Sequence, residues 1–320
     1  MADLIDSKDV VSRWLQAAEK SGESMDILFG RGCSGTQSID WRSYSHLQYD
    51  GLGAFARILS DENGIRISMP LGKFPQALGT AQPPASIVPH SSARHTANTN
   101  LAMVRDSIEN GRLAWHRFSS EASQALQSRA RHLQCTVNSL LLHTLNKSLI
   151  QGNTVGRDFS WLIPVNLRGG LSLRRSSSNQ VSYIHHTERT ANCAQSTHRE
   201  LQLQLQRGDH WRQYRRMRYL CRLPLSLRQW ILTRQRLKLA LPTGTFSNLG
   251  QWDTEEALKK EYFWLFCPPL ASPHLVAAGS LCFQNQISLA LRISANSPLA
   301  QRPAKEYMQA WQNNLTQTHI

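Results

Sequence analysis

No apolar run in this chain approaches the roughly 20 residues needed to span a bilayer as a helix, so a transmembrane segment is not expected. Met1 to Lys20 also lacks a basic region followed by an apolar core, which argues against a secretory signal. Cysteine is sparse. The six residues Cys33, Cys135, Cys193, Cys221, Cys267 and Cys282 form no C-x-x-C pair and no tight Cys/His group, so a zinc module or other metal site is not expected. Reduced, mostly buried thiols of a soluble cytoplasmic protein are the expectation. There are no low-complexity tracts and no repeat at solenoid periods. Acidic residues are the last shortage: 22 against 36 lysines and arginines, a net charge of +14.

What is present suits an ordered globular chain. Hydrophobic residues make up 41% of 320, enough for two ordinary domains or one large two-lobed one. The basic excess gathers between Gln206 and Lys238, where it could attract an anion such as nucleic acid, an acidic carrier protein, a phosphorylated cofactor or a lipid surface. The plainer alternative is a solvated helix face, since Trp211, Tyr214, Met217 and Leu220 or Cys221 recur at helical spacing among arginines. No nucleic-acid motif accompanies the charge, and a nucleic-acid partner is not favoured.

The stretch from Lys73 to Asn100 holds Pro75, Pro83, Pro84 and Pro89 with almost no charge or periodicity, as a linker between lobes would. It divides the chain into an N-terminal lobe (1–74), a linker (75–100) and a C-terminal lobe (101–320). Helices are expected near the start (Val11, Leu15 and Ala18 on one face), after Gly51, after Ser119 or Ser120, and after Thr136 as a cap. "FSWLIPVNLR" and "NQVSYIHH" read as strands, and "GTFSNLG" as the end of a short strand in a turn. Ile287, Leu289, Leu291 and Ile293 alternate with Ser288, Ala290, Arg292 and Ser294 in a hairpin, and a last helix carries Tyr307, Ala310, Trp311 and Leu315. The fold class is mixed α and β.

The chemistry centres on "SHLQYDGLGAFARIL", where His46, Asp50 and Gly51 form H-x-x-x-D-G on a strand-to-helix turn. Chance expects roughly 0.02 such matches in a chain of this composition. A neutral imidazole held at a cleft takes a proton from a hydroxyl or amine near pH 7. An aspartate one turn later fixes the loop by binding an arginine, and the glycine gives the backbone room that a side chain would obstruct. The plain alternative is a structural histidine at a strand end.

The motif resembles the hallmark of the coenzyme A-dependent acyltransferase superfamily: chloramphenicol acetyltransferases, condensation domains of nonribosomal peptide synthetases, wax ester synthase/diacylglycerol acyltransferases and polyketide-associated acyltransferases. Four further segments are similar in the same order: "CTVNSLLLHTLNKSL", "IPVNLR", "SNQVSYI" and "TFSNLG". The resemblance implies a chloramphenicol acetyltransferase-like fold of two lobes, each a mixed sheet with flanking helices, meeting at a tunnel. Family members carry a longer first lobe, so an incomplete one is implied here. By the same resemblance His46 is the general base, Asp50 and Gly51 structural, Arg168 a candidate partner of Asp50, and Ser247 and Asn248 substrate or oxyanion contacts. The implied donor is a coenzyme A or phosphopantetheine thioester on an acyl-CoA or acyl carrier protein. A small alcohol or amine accepts the acyl group, and no cofactor is tightly bound. The alternative function is a catalytically inactive condensation-domain-like scaffold.

Overall fold

The computed structural model describes residues 7–20, 25–33, 35, 38–63, 69, 102–151, 158–168, 179–237, 243–252, 262–271 and 273–317. The linker expected at 75–100 lies outside them. In chain order the elements are α1 (Ser7–Glu19), β1 (Asp26–Cys33), β2 (Ile39–Ser45), α2 (Gly51–Asn63), α3 (Ala102–Glu109), β3 (Leu113–Arg117), α4 (Ser120–His132), α5 (Val137–Ile150), β4 (Asp158–Asn166), β5 (Val181–Arg189), α6 (Ala194–Gln206), α7 (Asp209–Leu220), α8 (Leu225–Leu237), β6 (Thr243–Trp252), β7 (Tyr262–Cys267), β8 (Val276–Phe283), β9 (Gln286–Ile293) and α9 (Ala304–Thr316). The fold is mixed α and β, with no described helix long and apolar enough to cross a membrane.

Two sheets stack. The smaller is antiparallel in the order β2-β1-β7, so its third strand comes from the C-terminal part of the chain. The larger runs β3-β9-β8-β6-β4-β5, with parallel pairing of β8 with β6 and of β6 with β4. Local signals nucleate the helices that cover it. Ser119 caps α4 by accepting from the Ala122 amide, and Thr136 caps α5 by accepting from Ser139. Leu140, Leu141, Leu145 and Leu149 of α5 then meet Trp311 and Leu315 of α9 and the Phe159, Trp161 and Phe246 side of the sheet in one core.

The opposite face of that sheet is divided between two uses. Along β8 and β9 it packs on the small sheet, where Ala277 and Ala290 meet Leu28, Phe263, Leu265 and Cys267. Alternation in β9 therefore does not leave a polar face in water. Ser288 is buried donating to the Trp264 carbonyl at 2.6 Å, and Arg292 is buried donating to Ser107 at 3.2 Å. Along β6, β4 and β5 the same face is not met by the small sheet; Trp14 and Leu15 of α1 and Trp211 and Tyr214 of α7 pack beside Val181 and Tyr183, and the candidate site forms between these elements.

Gly279 sets the distance between the sheets. A Cβ there would stand 2.1 Å from the Phe266 carbonyl oxygen, a backbone atom that moves only if β7 moves. Gly279→Ala is expected to lower stability by about 1–3 kcal/mol, read as a lower urea midpoint at constant slope.

On its other face β5 sends His186 and Glu188 into the α5–α6 layer. Burial alone would raise the Glu188 carboxyl, but hydrogen bonds from His143 (3.0 Å), His186 (2.6 Å) and Thr197 (2.8 Å) outweigh it and hold the pKa at about 2. His210 is kept neutral by burial, its pKa lowered to about 4. Both depressed values make the fold acid-sensitive, because the unfolded chain takes up the proton first. The His210 contribution is present above 6.5 and is lost as pH falls toward about 4. The Glu188 contribution is present above 4.5 and is lost toward about 2. Urea midpoints measured across this range are expected to fall in both windows, and Glu188→Gln is expected to remove the lower fall.

Candidate functional site

His46 follows the last residue of β2, in the turn that leads into α2. Its amide donates to the Met25 carbonyl at 2.8 Å, and the Asn179 amide group donates to the His46 carbonyl, so the backbone is held from both sides. Nδ1 lies 2.8 Å from the Tyr49 carbonyl oxygen. A carbonyl only accepts, so Nδ1 carries the proton and the neutral ring has its lone pair on Nε2. Burial lowers the pKa from 6.5, against the opposing pull of the Tyr49 bond and of the Asp50 charge. His46 lines the cavity formed on this face of the large sheet.

The Asp50 carboxylate ties together three segments. Arg168 is fully buried and binds it in a two-point fork, Nη1 to Oδ2 at 2.9 Å and Nη2 to Oδ1 at 3.0 Å. The Gly53 amide donates to Oδ1 at 2.8 Å, which caps α2, and the Gln180 amide donates to Oδ2 at 2.8 Å. Asn166 steadies the arginine, accepting from the Arg168 amide at 3.0 Å and from Nη1 at 3.3 Å. Gly51 is helical, and its contribution is close approach. A Cβ there would lie 2.8 Å from Leu249 and 3.1 Å from Phe266, so the start of α2 rests directly on β6 and β7.

These elements enclose a cavity of about 340 Å³. Leu162 and Pro164 of β4, Val181 of β5, Leu15 and Ala18 of α1, and Pro268 and Pro269 after β7 make most of its wall apolar. Ser247 and Asn248 line it together with His46, Asp50, Gly51 and Arg168, so all six residues singled out in the sequence stand around one space. The "GTFSNLG" segment is not a strand end: β6 continues to Trp252 with a register shift between Asn248 and Gln251. Asn248 Oδ1 accepts from the Gly250 amide at 2.8 Å, and Gly250 takes φ +76°.

Sequence reasoning passed over five polar lining residues, Asn166 and four more. Thr245 Oγ1 and His274 Nδ1 are 2.6 Å apart, and the Tyr183 and His185 rings meet edge-on at 5.2 Å. His185 is pushed down by burial and then by the Arg216 charge. Thr245 carried the available signal, since it alternates with Ser247 on β6. His274 carried none, being an isolated histidine after a proline-rich loop. Among the described residues no group of three or more His, Cys, Asp or Glu is placed to hold a metal ion.

No protein-family model matches the chain, and no curated protein matches it. Solved structures do. Polyketide synthase associated protein 5 from Mycobacterium tuberculosis aligns with a TM-score of 0.49 and 12% identity over 86% of this chain and 72% of that one. A cyclization-docking bidomain of a nonribosomal peptide synthetase from Sorangium cellulosum gives 0.43 and 13% over 64% and 42%. A trichothecene 15-O-acetyltransferase from Fusarium sporotrichioides gives 0.39 and 11% over 64% and 46%. The chain spans less than half the length of the latter two. The similarity is one of fold.

Proposed function

We propose that this chain is an acyltransferase that moves an acyl group from a coenzyme A or carrier-protein thioester to an alcohol or amine, with His46 as general base. The observation that supports this most is the His46 ring itself: neutral, oriented by the Tyr49 carbonyl, and bordering an apolar cavity with its basic nitrogen uncommitted to that bond. In this reading Nε2 takes the proton from the acceptor hydroxyl or amine as the oxygen or nitrogen attacks the thioester carbonyl. The C–S bond then breaks, and the imidazolium returns the proton to the departing thiolate. No covalent enzyme intermediate is required.

Ser247 and Asn248 are the groups proposed to face the tetrahedral oxyanion. With Asn248 Oδ1 engaged by Gly250, its NH₂ is turned away from that contact and suits donation to negative charge. The apolar wall keeps water from competing with the acceptor. A purely binding role has no separate observation in its favour, since the base and the groups that orient it are assembled in one place.

The test is thiol release from a series of acyl-coenzyme A thioesters, acetyl to palmitoyl, with primary alcohols and amines as acceptors. Acceptor-dependent release with an optimum among apolar acyl chains is expected. Release that ignores the acceptor would mean hydrolysis and would reject the transfer reading.

A further inference from the structure

Six large hydrophobic side chains are exposed among the described residues, and three of them, Tyr219 (68%), Leu227 (40%) and Trp230 (53%), lie on the α7–α8 pair. Both exposed aromatic ones are there. Leu227 and Trp230 share an outer stripe of α8 with the exposed Ser226, Thr233 and Arg234. The inner side of the same helix sends Arg228 to the Arg13 carbonyl of α1 and places Leu232 in the cavity wall.

The charge on this pair is one-sided. Nine arginines and one aspartate lie between 207 and 237, and that aspartate, Asp209, already pairs with Arg212. The guanidinium of Arg222 stands 5.5 Å from the centre of the Tyr219 ring, and that of Arg234 4.8 Å from the Trp230 ring. Rings with an apolar body and a polar edge, flanked by guanidinium groups, fit the depth at which headgroups meet acyl chains.

We infer that the outer face of α7–α8 docks on an anionic phospholipid surface. Charge complementarity requires an anionic partner, and the exposed Leu227 and Trp230 require one that also offers apolar contact within the same few ångströms. The cavity favours lipid over an acidic protein. Its wall is mostly apolar, so what it accepts partitions into a lipid phase, and α8 both adds Leu232 to that wall and carries the exposed face. The inference rests on exposure, charge and cavity lining, and does not depend on the acyl-transfer reading.

Co-sedimentation with phosphatidylcholine vesicles, with and without phosphatidylglycerol, tests it. The full chain is compared with the Leu227→Ser/Trp230→Ala and Arg222→Gln/Arg234→Gln double variants, each checked for native circular dichroism. Binding to the anionic vesicles alone is expected, weakened by salt and at least about tenfold weaker in both double variants. Absence of sedimentation with anionic vesicles would overturn the inference. So would sedimentation indifferent to Leu227→Ser/Trp230→Ala. Retention on polyglutamate beads equal to vesicle binding, with that same indifference, would assign the face to an acidic protein instead.

Discussion

His46→Ala is expected to lower kcat/KM for acceptor-dependent thiol release by about 10²–10⁴-fold, the range a positioned general base contributes. The loss is expected in kcat more than in KM, because in the proposed reaction Nε2 acts on a proton that moves only in the transition state. Folding should change little. The turn is held by the backbone bonds of His46 to Met25 and Asn179 and by the Asp50–Arg168 fork, none of which uses the imidazole. Removing the ring also leaves a space beside the cavity, so added imidazole is expected to restore part of the rate. A KM effect with kcat unchanged would place His46 in binding and not in proton transfer.

Arg168→Met is expected to destabilise the chain by about 3–5 kcal/mol, the cost of leaving a buried charge without its partner. Asp50 is 4% exposed, and without the guanidinium its charge would be met only by the Gly53 and Gln180 amides. The fork joins α2 to the segment after β4 across 118 positions of sequence. Its loss therefore also loosens the turn that aims His46, and a displacement of about 1 Å can cost on the order of 10² in rate. Arg168→Lys keeps the charge but not the two-point geometry, and should recover stability more than activity. Urea midpoints and kcat measured on the same preparations separate the two effects. Equal recovery of both would mean that charge alone, not orientation, matters here.

Much of this architecture is written locally. α4 and α5 announce themselves through caps at Ser119 and Thr136 and through apolar residues at helical spacing, and the structure uses those caps. Trp211, Tyr214, Met217 and Cys221 are buried together while Arg212 and Arg216 are exposed, the amphipathic pattern their helical spacing predicts. What failed to show in the sequence depends on distant partners. β9 reads as half-polar, yet Ser288 and Arg292 find buried acceptors at Trp264 and Ser107. β7 gives no sign that it crosses to the small sheet, where it pairs with β1. In the site, H-x-x-x-D-G stands out because its members are adjacent. Thr245 and His274, 29 positions apart, meet only because β6 and the loop before β8 converge on one cavity.

In the proposed reaction the base is a neutral imidazole in a desolvated turn, and the pH dependence of kcat/KM for thiol release examines it directly. A base must be unprotonated to act, so activity is lost as pH falls through its pKa, which burial places below 6.5. The predicted profile is a plateau through neutral pH with an acid limb centred below 6.5, absent from the residual rate of His46→Ala. A limb centred at or above 6.5, or one that persists in His46→Ala, would contradict the assignment of His46 as the base.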